Sequence, residues 1–188
     1  MIKAIIFDFY GVIRSNEYRD WRLKHDISLD EFKISATRLD MGKTSPEEFF
    51  DSLSKLSGIP AEDIQKEFSA NASLNKDLLN LIYKLKTKYK IALISNASSS
   101  NLRDILSSAG IDKLFDQVTI SSELGYIKPS PEIFDYTLEN LGIKASEAVF
   151  VDDIQRFVQT AESIGMKGVH YTDLDSLVNA FKKMGIMV

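Results

Sequence analysis

Asp8, Ser95, Asn96, Lys128, Asp152 and Asp153 are the residues of this chain whose types suit one chemistry together. They lie in the segments FDFYGVI, LISN, GYIKPSPEIF and FVDD, each following the end of a predicted strand. A carboxylate such as Asp8 can serve as a nucleophile. Ser95 and Asn96 can donate hydrogen bonds to an oxyanion, and Lys128 can neutralise charge on both the nucleophile and a transferring group. Asp152 and Asp153 offer hard oxygen ligands, which suit Mg²⁺ bound together with a phosphate. Several carboxylates clustered without a cation would be costly, and a metal or Lys128 relieves that cost. Taken singly, each residue has a plainer use. Ser95-Asn96 reads as a helix cap, an Asp after a strand as an N-cap, and a Lys before Pro129 as surface. Their shared placement after strands, in chain order, is what joins them.

The elements that must position them follow from hydrophobic pattern. Residues 3–9, 90–95, 117–121, 148–151 and 168–171 read as short, nearly continuous apolar strands, the pattern of a parallel sheet covered on both faces. Between them, apolar residues recur at helical spacing: Leu74, Leu78, Leu81, Ile82 and Leu85, then Leu102, Ile105, Leu106 and Ala109. Further helices centre on Ile133 to Leu141, Val158 to Ile164 and Leu174 to Phe181, with Gly110, Gly142 and Gly165 as stops. Strand alternating with helix from about residue 74 predicts an α/β, Rossmann-like, doubly wound parallel sheet. In a parallel sheet the strand ends share one rim, so the polar sites meet in one cleft.

Residues 14–72 contain no strand pattern. Trp21, Leu23, Ile27, Leu29, Phe32, Ile34 and Leu39 keep helical company, and TSPEEFFDSLSKLSG and PAEDIQKEF each open with an early Pro backed by acids. A crossover helix needs far fewer residues. The expected organisation is therefore a core of residues 1–13 and 73–188 with a small all-helical insertion at 14–72, standing over the carboxyl ends of the strands.

Composition bounds the partners. The 188 residues are 44% hydrophobic and 27% charged, a globular balance. The formal net charge of −4 makes no electrostatic case for nucleic acid or an anionic membrane. There is no cysteine, which excludes disulfides, thiolate chemistry and Cys-ligated zinc and suits a cytoplasmic protein. The opening apolar run is interrupted by Asp8 and is short for a signal peptide, and no stretch approaches a membrane span.

These motifs, in their order and spacing over nearly the whole chain, resemble the haloacid dehalogenase-like superfamily of hydrolases. The helical insertion resembles that family's C1 cap, and DMGKTSPEEF resembles a recurrent cap segment. The resemblance implies a Mg²⁺-dependent phosphatase acting on a small phosphorylated metabolite as a monomer or homodimer. Asp8 would attack phosphorus and form an aspartyl-phosphate. Mg²⁺ would be held by Asp8, the backbone carbonyl of Tyr10 and Asp152, with Asp153 nearby. Ser95 and Lys128 would hold the phosphoryl group, with Asn96 either touching it or shaping the second-motif loop. Arg14, which leaves the first motif just before the insertion, reads either as facing a substrate anion or as half of a surface salt bridge.

The chain departs from the family pattern at two places. Most family phosphatases carry an acid–base Asp where Tyr10 stands, and a tyrosine has an unperturbed pKa of roughly 10. The D-x-Y-G pattern is that of metal-independent 2-haloacid dehalogenases, but Asp152, Ile154, Phe157 and Phe134 occupy positions where that branch carries Ser, Asn, Asp and Tyr. Phe157 also replaces an Asn common in the phosphatases. Three readings stand: a phosphatase, a dehalogenase, and a low-activity or non-catalytic binding protein.

Overall fold

The computed structural model describes residues 1–188. Five parallel strands, β1 (Ala4–Phe7), β2 (Lys90–Ser95), β3 (Gln117–Ile120), β4 (Ala148–Asp152) and β5 (Lys167–His170), form one sheet in the order β3-β2-β1-β4-β5. All pairs are parallel, with Ile5 beside Ile91 on one side and Val149 on the other. The chain builds outward from β1 to β3, then crosses back to β4. The carboxyl ends of β1 and β4 flank that reversal, where open α/β sheets bind ligands.

Side-chain alternation explains why the central strands are apolar throughout. Ile5, Phe7, Leu93 and Val151 face one layer of core, in a cluster of 27 buried residues. Ala4, Ile6, Ile94 and Phe150 face the other, in a cluster of 13. Both faces are buried, so neither set can be polar. The covering helices are α5 (Lys76–Leu85), α6 (Ser99–Ser108), α8 (Pro131–Leu141), α9 (Gln155–Ser163) and α10 (Leu174–Lys183), with a short α7 (Ser121–Leu124) after β3. Helix α5 starts where the Asn75 side chain accepts from the Leu78 amide at 3.1 Å.

Between β1 and α5 the chain forms four helices and no strand: α1 (Glu17–Lys24), α2 (Leu29–Asp40), α3 (Pro46–Ser57) and α4 (Ala61–Asn71). They have their own core, in which Trp21, Phe32, Phe49, Leu53, Ile64 and Phe68 are buried. Helix α3 opens as its sequence implies. Ser45 accepts from the Glu48 amide, Glu48 accepts from the Ser45 amide, and Pro46 holds the first turn. The apolar stretch from Trp21 to Leu39 divides into α1 and α2, with Asp26 at φ 52°. A short polar side chain tolerates that left-handed backbone better than most. The two connections of this cap to the core hydrogen-bond to each other: Ser15 N–H donates to the Ser73 carbonyl (2.9 Å) and Asn75 N–H to the Ile13 carbonyl (2.8 Å).

Helix α7 is the element that hydrophobic pattern does not reveal. Ser121, which reads as the end of a strand, begins a turn of helix that ends at Gly125. The Ser121 hydroxyl accepts from the Ala97 amide (3.0 Å) and donates to the Asp40 carbonyl (2.5 Å). It therefore ties β2's exit to the cap.

Gly42 sits at this cap–core contact with φ 69°, and a Cβ there would lie 2.7 Å from the Ser122 carbonyl oxygen. Gly42→Ala is expected to lower stability by about 1–2 kcal/mol through the left-handed backbone alone. That corresponds to several degrees in Tm, at roughly 2–4 °C per kcal/mol for a domain of this size. A thermal melt checks it, and an unchanged Tm would contradict the left-handed turn at Gly42.

Candidate active site

The polar residues singled out in sequence converge, with one exception. Asp8 lies just beyond β1, where its N–H donates to the Val151 carbonyl at 2.8 Å. Ser95 and Asp152 are the last residues of β2 and β4. Lys128 arrives from the α7–α8 loop rather than directly from a strand end, and it is 2% exposed. Its Nζ donates to Asp8 Oδ1 and to Asp152 Oδ2, both at 2.6 Å. Burial on this scale is uncommon for lysine and demands partners. The rings of Phe157 and Phe150 also face this ammonium, at 5.1 and 5.5 Å to their centroids. Phe157, one of the two departures from the family pattern, thus supports the lysine directly.

The remaining contacts fix these side chains. Asp152 Oδ1 accepts from the Ile154 amide at 2.8 Å. Asn96 clamps the backbone of Lys128: its Oδ1 accepts from the Lys128 amide (2.8 Å) and its Nδ2 donates to the Lys128 carbonyl (3.1 Å). Gly11, at φ 93°, lets the turn after Asp8 pass against Asp153. A Cβ on Gly11 would lie 2.3 Å from Asp153 Oδ2.

Two buried oxygens in this site have no hydrogen-bond partner: Ser95 Oγ and Asp153 Oδ1. Buried polar groups are rarely left so. Carboxylate oxygens of Asp8, Asp152 and Asp153 lie within 4.8 Å of one another, and the ion pairs to them come from Lys128 and Arg19 only. Three carboxylates against two cations leave a negative excess. An all-oxygen donor set with that excess fits a hard divalent cation such as Mg²⁺, and the free Ser95 hydroxyl fits an anionic oxygen.

Electrostatics agree. Burial pushes the Asp8 carboxyl up to about 8; Lys128 opposes this, and Asp152 and Asp153 add to it. Burial and the Asp152 charge raise Asp153 as well, against Arg19 and Lys128. Burial works against the Lys128 charge, yet Asp152 and Asp8 together hold its pKa above the ordinary lysine value. A cation among these acids favours their ionised forms, as a nucleophilic Asp8 requires.

Tyr10 is turned to another use. Its ring packs edge-on against Phe9 (5.1 Å) and Tyr18 (5.3 Å), and its hydroxyl accepts from Asn101 Nδ2 at 3.3 Å. Burial, then the neighbouring Tyr18 and Glu17, push its pKa well above 10. Arg14 is the exception. Its Nε pairs with Glu17 at 2.9 Å, and it borders a separate hollow with Leu74 and Asp104. The cap's return connection beside Ser15 and a buried Glu17 that needs a cation hold it there.

A cavity of about 410 Å³ opens above Asp8 and Lys128. From the cap it is lined by Tyr18, Arg19, Arg22, Phe32, Lys33, Asp40 and Phe49, among others. Arg19 reaches down to Asp153 Oδ2 at 3.1 Å. Arg19 and Arg22 lie on α1 with Lys24; nothing in the sequence marks Lys33, and Asp40 opens the cap segment DMGKTSPEEF, which does not by itself place it in the cavity.

A family model described as haloacid dehalogenase-like hydrolase matches residues 2–165. Over 189 residues the chain is 30% identical to D-ribitol-5-phosphate phosphatase of Bacteroides thetaiotaomicron, covering 89% of this chain and 90% of that protein. It is 27% identical to the sesquiterpene phosphatase astK of Aspergillus oryzae, covering 91% and 90%. Its fold matches a B. thetaiotaomicron enzyme of the same family, crystallised with magnesium and inorganic phosphate, with a TM-score of 0.74 at 22% identity over 94% of this chain and 99% of that one.

The Lys128 triad yields a stability prediction. Removing one partner of a buried ion pair typically costs about 3–5 kcal/mol. Lys128→Ala should lose about that much in urea unfolding without divalent cations, because Asp8 and Asp152 lose their shared partner. A loss below about 1 kcal/mol would mean that the triad is not formed in solution.

Proposed function

This chain belongs to the haloacid dehalogenase-like hydrolases, and on that premise we propose that it is a Mg²⁺-dependent phosphatase of a small phosphate monoester. The observation that carries the reading is the pair of unpartnered buried oxygens, Ser95 Oγ and Asp153 Oδ1, beside the Lys128 triad at the strand ends. One is suited to an anion, the other to a cation, and a metal-bound phosphate is both.

Under this reading Asp8 attacks phosphorus and forms an aspartyl-phosphate, which water then hydrolyses. Lys128 stays beside Asp8 and balances charge as it passes to the phosphoryl oxygens. Ser95 donates its free hydroxyl to one of those oxygens. Asn96 acts on Lys128, whose backbone it clamps, and thereby shapes the phosphate site. Asp8, Asp152, Asp153 and the backbone carbonyl of Tyr10 would hold Mg²⁺, which when bound supplies positive charge to the transferring phosphoryl group. The cap covers the site and excludes water. Every group invoked comes from one chain, so a monomer or a homodimer suffices. A small phosphorylated metabolite as substrate fits a cytoplasmic protein. No helix is long and apolar enough to cross a membrane.

The dehalogenase reading fits less well, despite the D-x-Y-G segment. A 2-haloacid brings its own carboxylate, and Asp152 and Asp153 would repel it.

Phosphate release from an activated aryl phosphate and from a panel of sugar, polyol and nucleotide monophosphates tests the proposal. Release should require Mg²⁺, vanish in EDTA and fall on the order of 10³-fold or more in Asp8→Asn. Ser95→Ala should reduce kcat about 10²–10³-fold, the usual effect of losing one oxyanion donor. Undiminished release in EDTA would overturn the metal assignment. Halide release from a 2-haloacid without metal would move the chain to the dehalogenases, and magnesium or phosphate binding with no turnover would make it a binding protein.

A further inference from the structure

The phosphatase reading leaves one job undone: a proton must reach the leaving oxygen, and a base must later take one from water. Tyr10 occupies the position from which this is ordinarily done. Its hydroxyl is engaged by Asn101, its ring is wedged against Tyr18, and its acidity is weakened by burial. Asp8, Asp152 and Asp153 are committed to one another and to Lys128 and Arg19. One further carboxylate lines the cavity: Asp40, the last residue of α2.

Asp40 is held at the cap–core contact from behind. Its backbone carbonyl accepts from Ser121 Oγ at 2.5 Å, and Ser121 Oγ in turn accepts from the Ala97 amide just past β2. Close packing of Gly42 on Ser122 fixes the same turn. The anchor is the backbone, so the side chain is left free. The Asp40 carboxylate has no hydrogen-bond or ion-pair partner; Lys128 and Tyr18 are the charged or titratable side chains that sense it. A carboxylate facing a cavity without a partner is held less firmly in its charged form than one in open water. Burial pushes it up to about 7, with Lys128 opposing. An acid near the working pH can both give and accept a proton.

We propose that Asp40, supplied by the cap, is the proton donor to the leaving group and the base for the attacking water, the role that Tyr10 does not fill. The proposal rests on the phosphatase reading. In the first step the bond from Asp8 oxygen to phosphorus forms as the ester P–O bond breaks, and the departing alkoxide takes the Asp40 proton. In the second step water attacks phosphorus, its proton passes to Asp40, and the Asp8 carboxylate leaves with its electron pair. Asp40 ends protonated, as it began. The assignment also ties chemistry to closure, because the acid is present only while the cap sits on the core.

Leaving-group dependence is the test. An aryl phosphate departs without a proton, whereas an alkyl phosphate needs one. In the Mg²⁺-loaded protein, Asp40→Asn should lower kcat/KM for the best alkyl phosphate of a sugar and polyol panel by about 10²–10⁴-fold. For 2,4-dinitrophenyl phosphate the fall in kcat/KM should be far smaller, since that quantity reports steps through leaving-group departure. Turnover of the aryl ester should slow after a burst of one equivalent of phenol, because hydrolysis of the aspartyl-phosphate has lost its base. Asp40→Glu should restore part of the alkyl activity. An equal loss on both esters, or no loss on either, would overturn the role of Asp40 while leaving the phosphatase reading intact. So would wild-type protein that hydrolyses the aryl ester and no alkyl ester. Wild-type protein that hydrolyses neither ester would remove the phosphatase reading and this inference with it.

Discussion

The site is organised around one buried ammonium. Lys128 Nζ bridges Asp8 and Asp152 at 2.6 Å each, and so joins the α7–α8 loop to the tips of β1 and β4. Taking an ion out of water costs several kcal/mol, and a buried pair is tolerated only where the geometry repays it. Here two carboxylates, two aromatic faces and the Asn96 backbone clamp do so together. Removing any partner leaves charge with no water to receive it. The sheet order makes the bridge possible. Only with β1 and β4 adjacent can Asp8 and Asp152 share one cation.

Tyr10 shows how a motif position changes employment without disturbing the fold. Its ring begins an aromatic chain that continues through Tyr18 to Phe49 and Phe68 in the cap core. The Tyr10–Tyr18 and Tyr18–Phe68 pairs are edge-to-face, and such pairs contribute roughly 0.5–1.5 kcal/mol beyond the area they bury. An acid in the same place would face a desolvated aromatic pocket beside the buried Glu17. At Tyr10 the first motif of this chain therefore contributes packing between core and cap.

The cap meets the core through a small set of directed contacts. Arg19 reaches Asp153, Ser121 reaches the Asp40 carbonyl, and Gly42 lies against Ser122. The paired connections at Ser15–Ser73 and Ile13–Asn75 are where a rigid cap would pivot. Each contact also touches a residue of the site or its neighbour, so the position of the cap and the electrostatics of the cavity are one arrangement.

Local pattern was enough for the α/β class, the helical insertion and the convergence of Asp8, Ser95, Lys128, Asp152 and Asp153. The class and the insertion depend on hydrophobic period, and Asp8, Ser95, Asp152 and Asp153 on strand ends, which neighbouring residues encode; Lys128 comes instead from the α7–α8 loop. Helix α7 was hidden because it spans Ser121–Leu124, too few residues to show a period, and because its stability comes from contacts to Ala97 and Asp40. Arg14 stood between a substrate anion and a salt bridge because the burial of its partner, Glu17, is not visible in sequence. Tyr10 could be recognised as a departure, but its packing against Tyr18 and its hydrogen bond from Asn101 required coordinates. Asp40 opens the segment DMGKTSPEEF, which marks it as a cap residue but not as a cavity residue. A lone Asp at a helix end is ordinary in sequence, and its meaning arises only when the cap turns it into a cavity above Lys128. Sequence alone determined which charges the chain would bring to the strand ends. Tertiary structure alone decided which were paired, which buried and which left free, because desolvation and pairing are properties of the assembled site rather than of any segment.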